Sequence, residues 1–92
     1  MTTTLSTVAD RNLTYADICT QILAEIGAKY DGNLSALSRA TGINRTQLIE
    51  YLHKGRDMGA VRMMDIIAAL DLTEPEFFKR ARERAGIPSK DA

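Results

Sequence analysis

Leu37-Ser-Arg-Ala-Thr-Gly42-Ile-Asn-Arg-Thr-Gln-Leu48 reads as the end of one short helix, a sharp turn, and the start of another. A sharp turn between two helices needs a residue that accepts positive φ, and Gly42 does so without steric cost. Ile43 must then plug the angle between the helices, with Leu37 and Leu48 meeting behind it. Ser38 stands where the helices pass closest, a place that tolerates only a small side chain. Working outward, Asn33 is an N-cap for the first of the two helices, whose apolar stripe is Leu34, Leu37, Ala40 and Thr41. Asn44 caps the second, with Gln47 three residues on and a stripe of Leu48, Tyr51 and Leu52. Gly55 closes it.

The flanks are helical too. Thr14-Tyr-Ala-Asp17 is a capping box in which Asp17 replaces the usual Glu. Behind it Tyr15, Ile18, Cys19, Ile22, Leu23, Ile26 and Tyr30 recur at helical spacing, which predicts a helix over about 15–30 that stops at Gly32. After an irregular stretch at Arg56–Gly59, Val61, Met63, Met64, Ile66, Ile67 and Leu70 predict a fourth helix. Thr73-Glu-Pro-Glu76 is a full capping box with Pro75 in the first turn, opening a fifth helix through Phe77, Phe78 and Ala81. Gly86-Ile87-Pro88 ends it. No alternating strand pattern and no repeat occurs. The expectation is an all-α fold of five short helices, with Leu37, Ile43, Leu48, Tyr51, Ile66, Leu70 and one of Phe77 and Phe78 buried. Residues 1–12, rich in Thr and Ser, read as a flexible N-terminal arm, 13–87 as one domain, and 88–92 as a tail.

Composition narrows the function classes. The 92 residues are 45% hydrophobic and 26% charged, the profile of a soluble globular domain. No stretch approaches the roughly 20 apolar residues of a membrane span. The N-terminus lacks the basic and apolar regions of a secretory signal. One cysteine, Cys19, and one histidine, His53, build neither a disulfide nor a metal site, so no metal or cofactor is expected and the reducing cytoplasm is the natural compartment. Cys19 shares an apolar face with Ile18, Ile22 and Ile26 and reads as a buried, inert thiol. The Met63-Met64 pair reads as core filler. No phosphate loop, catalytic triad or inward carboxylate pair is present, which argues against an enzyme and a small-molecule substrate. Net charge is zero, yet residues 33–63 carry Arg39, Arg45, Lys54, Arg56 and Arg62 against only Glu50 and Asp57. This net-basic middle third is where an anionic partner belongs, although a solvated surface explains the charge as well.

From about residue 33 to 78 the chain resembles the Cro/lambda-repressor-like (Xre-type) helix-turn-helix family. The resemblance is carried by Leu37 through Leu48, by Lys54-Gly55, and by Met63-Met-Asp-Ile-Ile-Ala-Ala-Leu70-Asp-Leu-Thr-Glu-Pro-Glu-Phe77-Phe78. Leu34 stands where the family usually has a phosphate-binding Gln, Ser38 where it usually has Ala, and Asp71 where a turn glycine is common. The resemblance implies a five-helix lambda-repressor-like DNA-binding domain whose second helix crosses the DNA backbone and whose third, about 45–53, enters the major groove. It also implies a sequence-specific transcriptional regulator of the phage Cro or immunity-repressor type, a repressor that occupies a double-stranded operator.

With Leu48, Tyr51 and Leu52 turned inward, Arg45, Thr46, Ile49, Glu50 and His53 fall on the outer face or its border. Arg45, in the first turn, has the reach for guanine O6 and N7. Thr46 suits a base edge or a thymine methyl. Gln47 suits adenine or a phosphate, or else the capping-box bond to Asn44. Ile49 suits a thymine methyl, or partial burial. Glu50 accepts from cytosine N4, or pairs with Lys54 in the stabilising i, i+4 order. Arg39, Asn44, His53, Lys54 and Arg56 are candidates for the DNA backbone, contacts that set affinity and register without reading sequence; solvated positions are their plainer reading.

One recognition helix covers few base pairs, so a homodimer, at least on DNA, is expected, with the fifth helix and chain end as the available surface. The rival from another class is a helix-turn-helix antitoxin or interaction module whose main partner is another protein.

Overall fold

The computed structural model describes residues 12–87. The expected tail at 88–92, and the expected arm except for Asn12, lie outside them. Five helices follow one another: α1 Tyr15–Tyr30, α2 Leu34–Thr41, α3 Arg45–His53, α4 Gly59–Ala69 and α5 Glu74–Ala85. No strand occurs among the described residues. The caps read from the sequence form as hydrogen bonds. Thr14 and Asp17 exchange the two bonds of a capping box, as do Thr73 and Glu76. Four of the five starts are thus held by a side chain; α4 begins behind Met58 without one, although Asp57 Oδ1 accepts from Gly59 N at 3.0 Å. The stop of α1 differs slightly from expectation, because Asp31, at φ 57°, already takes the left-handed conformation before Gly32 does.

α1 packs against α5, α2 and α3, α2 against α3 and α4, and α4 against α5. The core between them contains Ile22, Ile26, Leu37, Ile43, Leu48, Tyr51, Ile66, Ile67, Leu70 and Phe77. Leu37, Ile43, Leu48, Tyr51, Ile66 and Leu70 are buried as expected, and of the adjacent phenylalanines Phe77 takes the core. Phe78 stays half-buried beside it, edge to face at 5.4 Å between ring centroids. Cys19 is buried as expected and donates to the Tyr51 carbonyl at 3.5 Å; burial pushes its thiol above the ordinary range.

Three apolar assignments are corrected. Ala40 is exposed rather than part of the α2 stripe. Met64, expected as core filler, is 46% exposed, and Val61, part of the apolar pattern that predicted α4, is 67% exposed. They lie three apart on α4, which packs against α2 and α5, and no described helix covers the side they share. Of the two methionines only Met63 packs against the core.

The seam between α1 and α5 is polar. Gln21, 3% exposed, donates to Glu25 Oε2 at 2.6 Å and accepts from Arg84 Nε at 2.8 Å. Arg80 Nη1 reaches both oxygens of Glu25 at 3.0 Å. Nearby, Tyr30 Oη donates to the Ala69 carbonyl at 2.7 Å, and Lys29 pairs with Asp71.

Candidate nucleic-acid interface

The α2–α3 corner is fixed more tightly than small residues alone would make it. Gly42, at φ 78°, ends α2 by donating its N–H to the Ser38 carbonyl at 2.8 Å. Ser38 Oγ in turn donates to the Ile43 carbonyl at 2.6 Å, across the turn. Thr41 Oγ1 donates to the Leu37 carbonyl at 2.9 Å and accepts from Ile43 N at 3.1 Å. Ile43 is held at both its N–H and its carbonyl, with its side chain buried. Sequence reading identified Ser38 only by its size and placed Thr41 in an apolar stripe. A hydroxyl in the last turn of a helix, facing turn amides and carbonyls, is the signal that distinguishes this role.

The start of α3 follows directly. Asn44 Oδ1 accepts from Thr46 N at 2.7 Å, which commits its side-chain oxygen to the cap. The reciprocal bond from Gln47 does not form among the described residues, so Gln47 is exposed beside Arg45 and Thr46. These three exposed side chains occupy the first turn, while Leu48, Tyr51 and Leu52 face the core. Ile49 and Glu50 are half-buried, and His53 and Lys54 are exposed at the far end. Nine residues of α-helix rise about 14 Å, close to the roughly 12 Å width of a major groove. Arg45 and Lys54 therefore stand about one groove width apart. Arg39 is exposed on α2.

Glu50 does not pair with Lys54. The chain turns back after Gly55, at φ 75°, and brings Arg56 onto α3 instead: Nη1 lies 2.5 Å from Glu50 Oε1. The bond raises the Arg56 guanidinium further above its ordinary value. Two candidates placed in different sets, one for bases and one for phosphates, are thus joined to each other. The backbone beneath them is held as well. Arg56 N donates to the Glu50 carbonyl at 3.1 Å, and the Tyr15 hydroxyl donates to the Arg56 carbonyl at 2.6 Å while accepting from Met58 N at 3.1 Å. Partial burial, above all, pushes that hydroxyl up to about 12. Tyr15 was read only as part of the α1 stripe; its tie to the loop after α3 has no local sequence signature.

Among the described residues no group of three or more His, Cys, Asp or Glu side chains is placed to hold a metal ion. No described helix is long and apolar enough to cross a membrane. No family model, curated protein or solved structure matches the chain.

Proposed function

We propose that this protein is a sequence-specific DNA-binding regulator, a repressor that occupies an operator in the cytoplasm of a bacterium or phage-infected cell. In this reading α2 and α3 act as a helix-turn-helix, α3 lies in the major groove, and no catalytic step or cofactor is involved. The observation that carries it is the first turn of α3. Arg45, Thr46 and Gln47 are all exposed in the first turn of a helix that buries Leu48, Tyr51 and Leu52 and whose entry turn is pinned at Ile43. A rigid helix offering a guanidinium, a hydroxyl and an amide meets the geometric demand of base-edge recognition.

The experiment is selection of bound sites from random DNA, followed by titration of variants on the best site and its single-base changes at several salt concentrations. Arg45→Ala is expected to lose discrimination at one base pair, worth about 1–3 kcal/mol. Lys54→Ala and Arg39→Ala are expected to weaken binding to all sequences alike and to shallow the log affinity–log salt slope by about one unit each. Retention of full sequence preference by Arg45→Ala, with its loss in Lys54→Ala, would refute the docking.

One observation favours a second reading. Val61 and Met64 make an exposed apolar strip on α4, which suits an antitoxin-like module with a protein partner. That reading takes over if none of the three substitutions alters DNA binding.

A further inference from the structure

Resting on the DNA-binding reading, the Glu50–Arg56 pair suggests how its affinity is regulated. The two residues lie six apart, beyond the reach of a helical pair, and meet because the loop is anchored on both sides of Arg56. Glu50 holds the Arg56 N–H, and Tyr15 holds the Arg56 carbonyl and the Met58 N–H. The guanidinium is therefore delivered to the carboxylate by fixed backbone. Its side chain remains 68% exposed two positions after Lys54, while that of Glu50 is 32% exposed on the outer side of α3. A carboxylate is the one side-chain type at this face that repels phosphate and accepts from a base amine. Only Nη1 of Arg56 is committed to Glu50, and while the two are paired the carboxylate cancels the charge that Arg56 would otherwise offer a phosphate.

We propose that Glu50 gates Arg56. On arbitrary DNA the pair stays closed and Arg56 adds no net charge toward the phosphates. On a site that offers a cytosine amine to Glu50, the carboxylate transfers to cytosine N4 and Arg56 transfers to a backbone phosphate. Reading one base thereby adds one charge contact, and sequence recognition raises the electrostatic share of binding.

The test is a double-mutant cycle with the full chain, titrated on the selected site and on an arbitrary duplex across a salt series. Glu50→Gln is expected to tighten binding to the arbitrary duplex about two- to fivefold, the range of an exposed ion pair, and to steepen its salt slope by about 0.9. Arg56→Gln is expected to shallow the slope on the selected site by the same amount and to leave the arbitrary duplex unchanged. In the Arg56→Gln background, Glu50→Gln should no longer tighten arbitrary binding. Thermal melting verifies that each variant is folded. If Glu50→Gln tightens binding equally with and without Arg56, Glu50 acts through its own charge and the gate is refuted. Equal shallowing of both slopes by Arg56→Gln refutes it too. If Lys54→Ala shallows both slopes while Glu50→Gln changes nothing, the gate fails and the DNA-binding reading stands. If no sequence is bound, both fail.

Discussion

At Gly42 a single hydrogen atom where other residues carry Cβ sets the direction of α3. An added Cβ would meet no atom within 4 Å, so the cost of Gly42→Ala is conformational alone, about 1–2 kcal/mol for a left-handed alanine. Gly27 is equally open but lies inside α1 with ordinary helical φ, so Gly27→Ala should stabilise by about 0.5–1 kcal/mol. Urea titration of both variants checks the opposite signs. Asp71 shows the same constraint met by another residue: at φ 61° it occupies a left-handed position where the resemblance led us to note a missing glycine. Tyr15 gives a pH prediction. Its folded value of about 12 lies above the ordinary 10, so its contribution to stability is whole below pH 10 and fades as pH rises through 12. The stability gap between the native protein and Tyr15→Phe, measured by urea titration, should close over that interval. What the sequence could not disclose at this scale were bonds between residues far apart, such as Tyr15 to Arg56, because no local pattern encodes them.

At the level of elements, all five helices were legible because their starts and stops are local chemistry. The hydroxyls of Thr14 and Thr73, the amides of Asn33 and Asn44, and the glycines at 42 and 86 act within four residues of themselves. The side of each helix that ends up covered was less legible. α4 is apolar around much of its circumference, and its burial depends on how many neighbours reach it; Val61 and Met64 fall where no described helix does. Likewise the partner of Glu50 depends on the path of the chain after Gly55, and not on helix spacing. The exposed face of α3 was legible only as the complement of its buried stripe. That stripe gives the prediction for this scale. Leu48 is fully buried, and Leu48→Ala should cost about 2–5 kcal/mol, a large share of the 5–15 kcal/mol typical of a domain. A lowered urea midpoint with helical content unchanged before the transition is the expected record.

For the molecule as a whole, the DNA-binding reading predicts stoichiometry. Two copies should bind a two-fold site with half-sites about one helical turn apart. Sedimentation on the selected DNA showing one copy per site, together with a non-palindromic sequence, would overturn this. The seam of Gln21, Glu25, Arg80 and Arg84 carries a consequence of another kind. Its bonds join residues 55 and 63 positions apart, so the first helix finds its last neighbour only when nearly the entire domain is available. During synthesis, Ile22 and Ile26 emerge from the ribosome long before α5 does. A nascent chain halted ahead of Glu74 therefore lacks the closing layer of its core and should remain sensitive to protease, whereas a release a dozen residues later should yield resistance in one step. Interrupted translation would then leave no partial product competent to compete for the same partner as the finished chain.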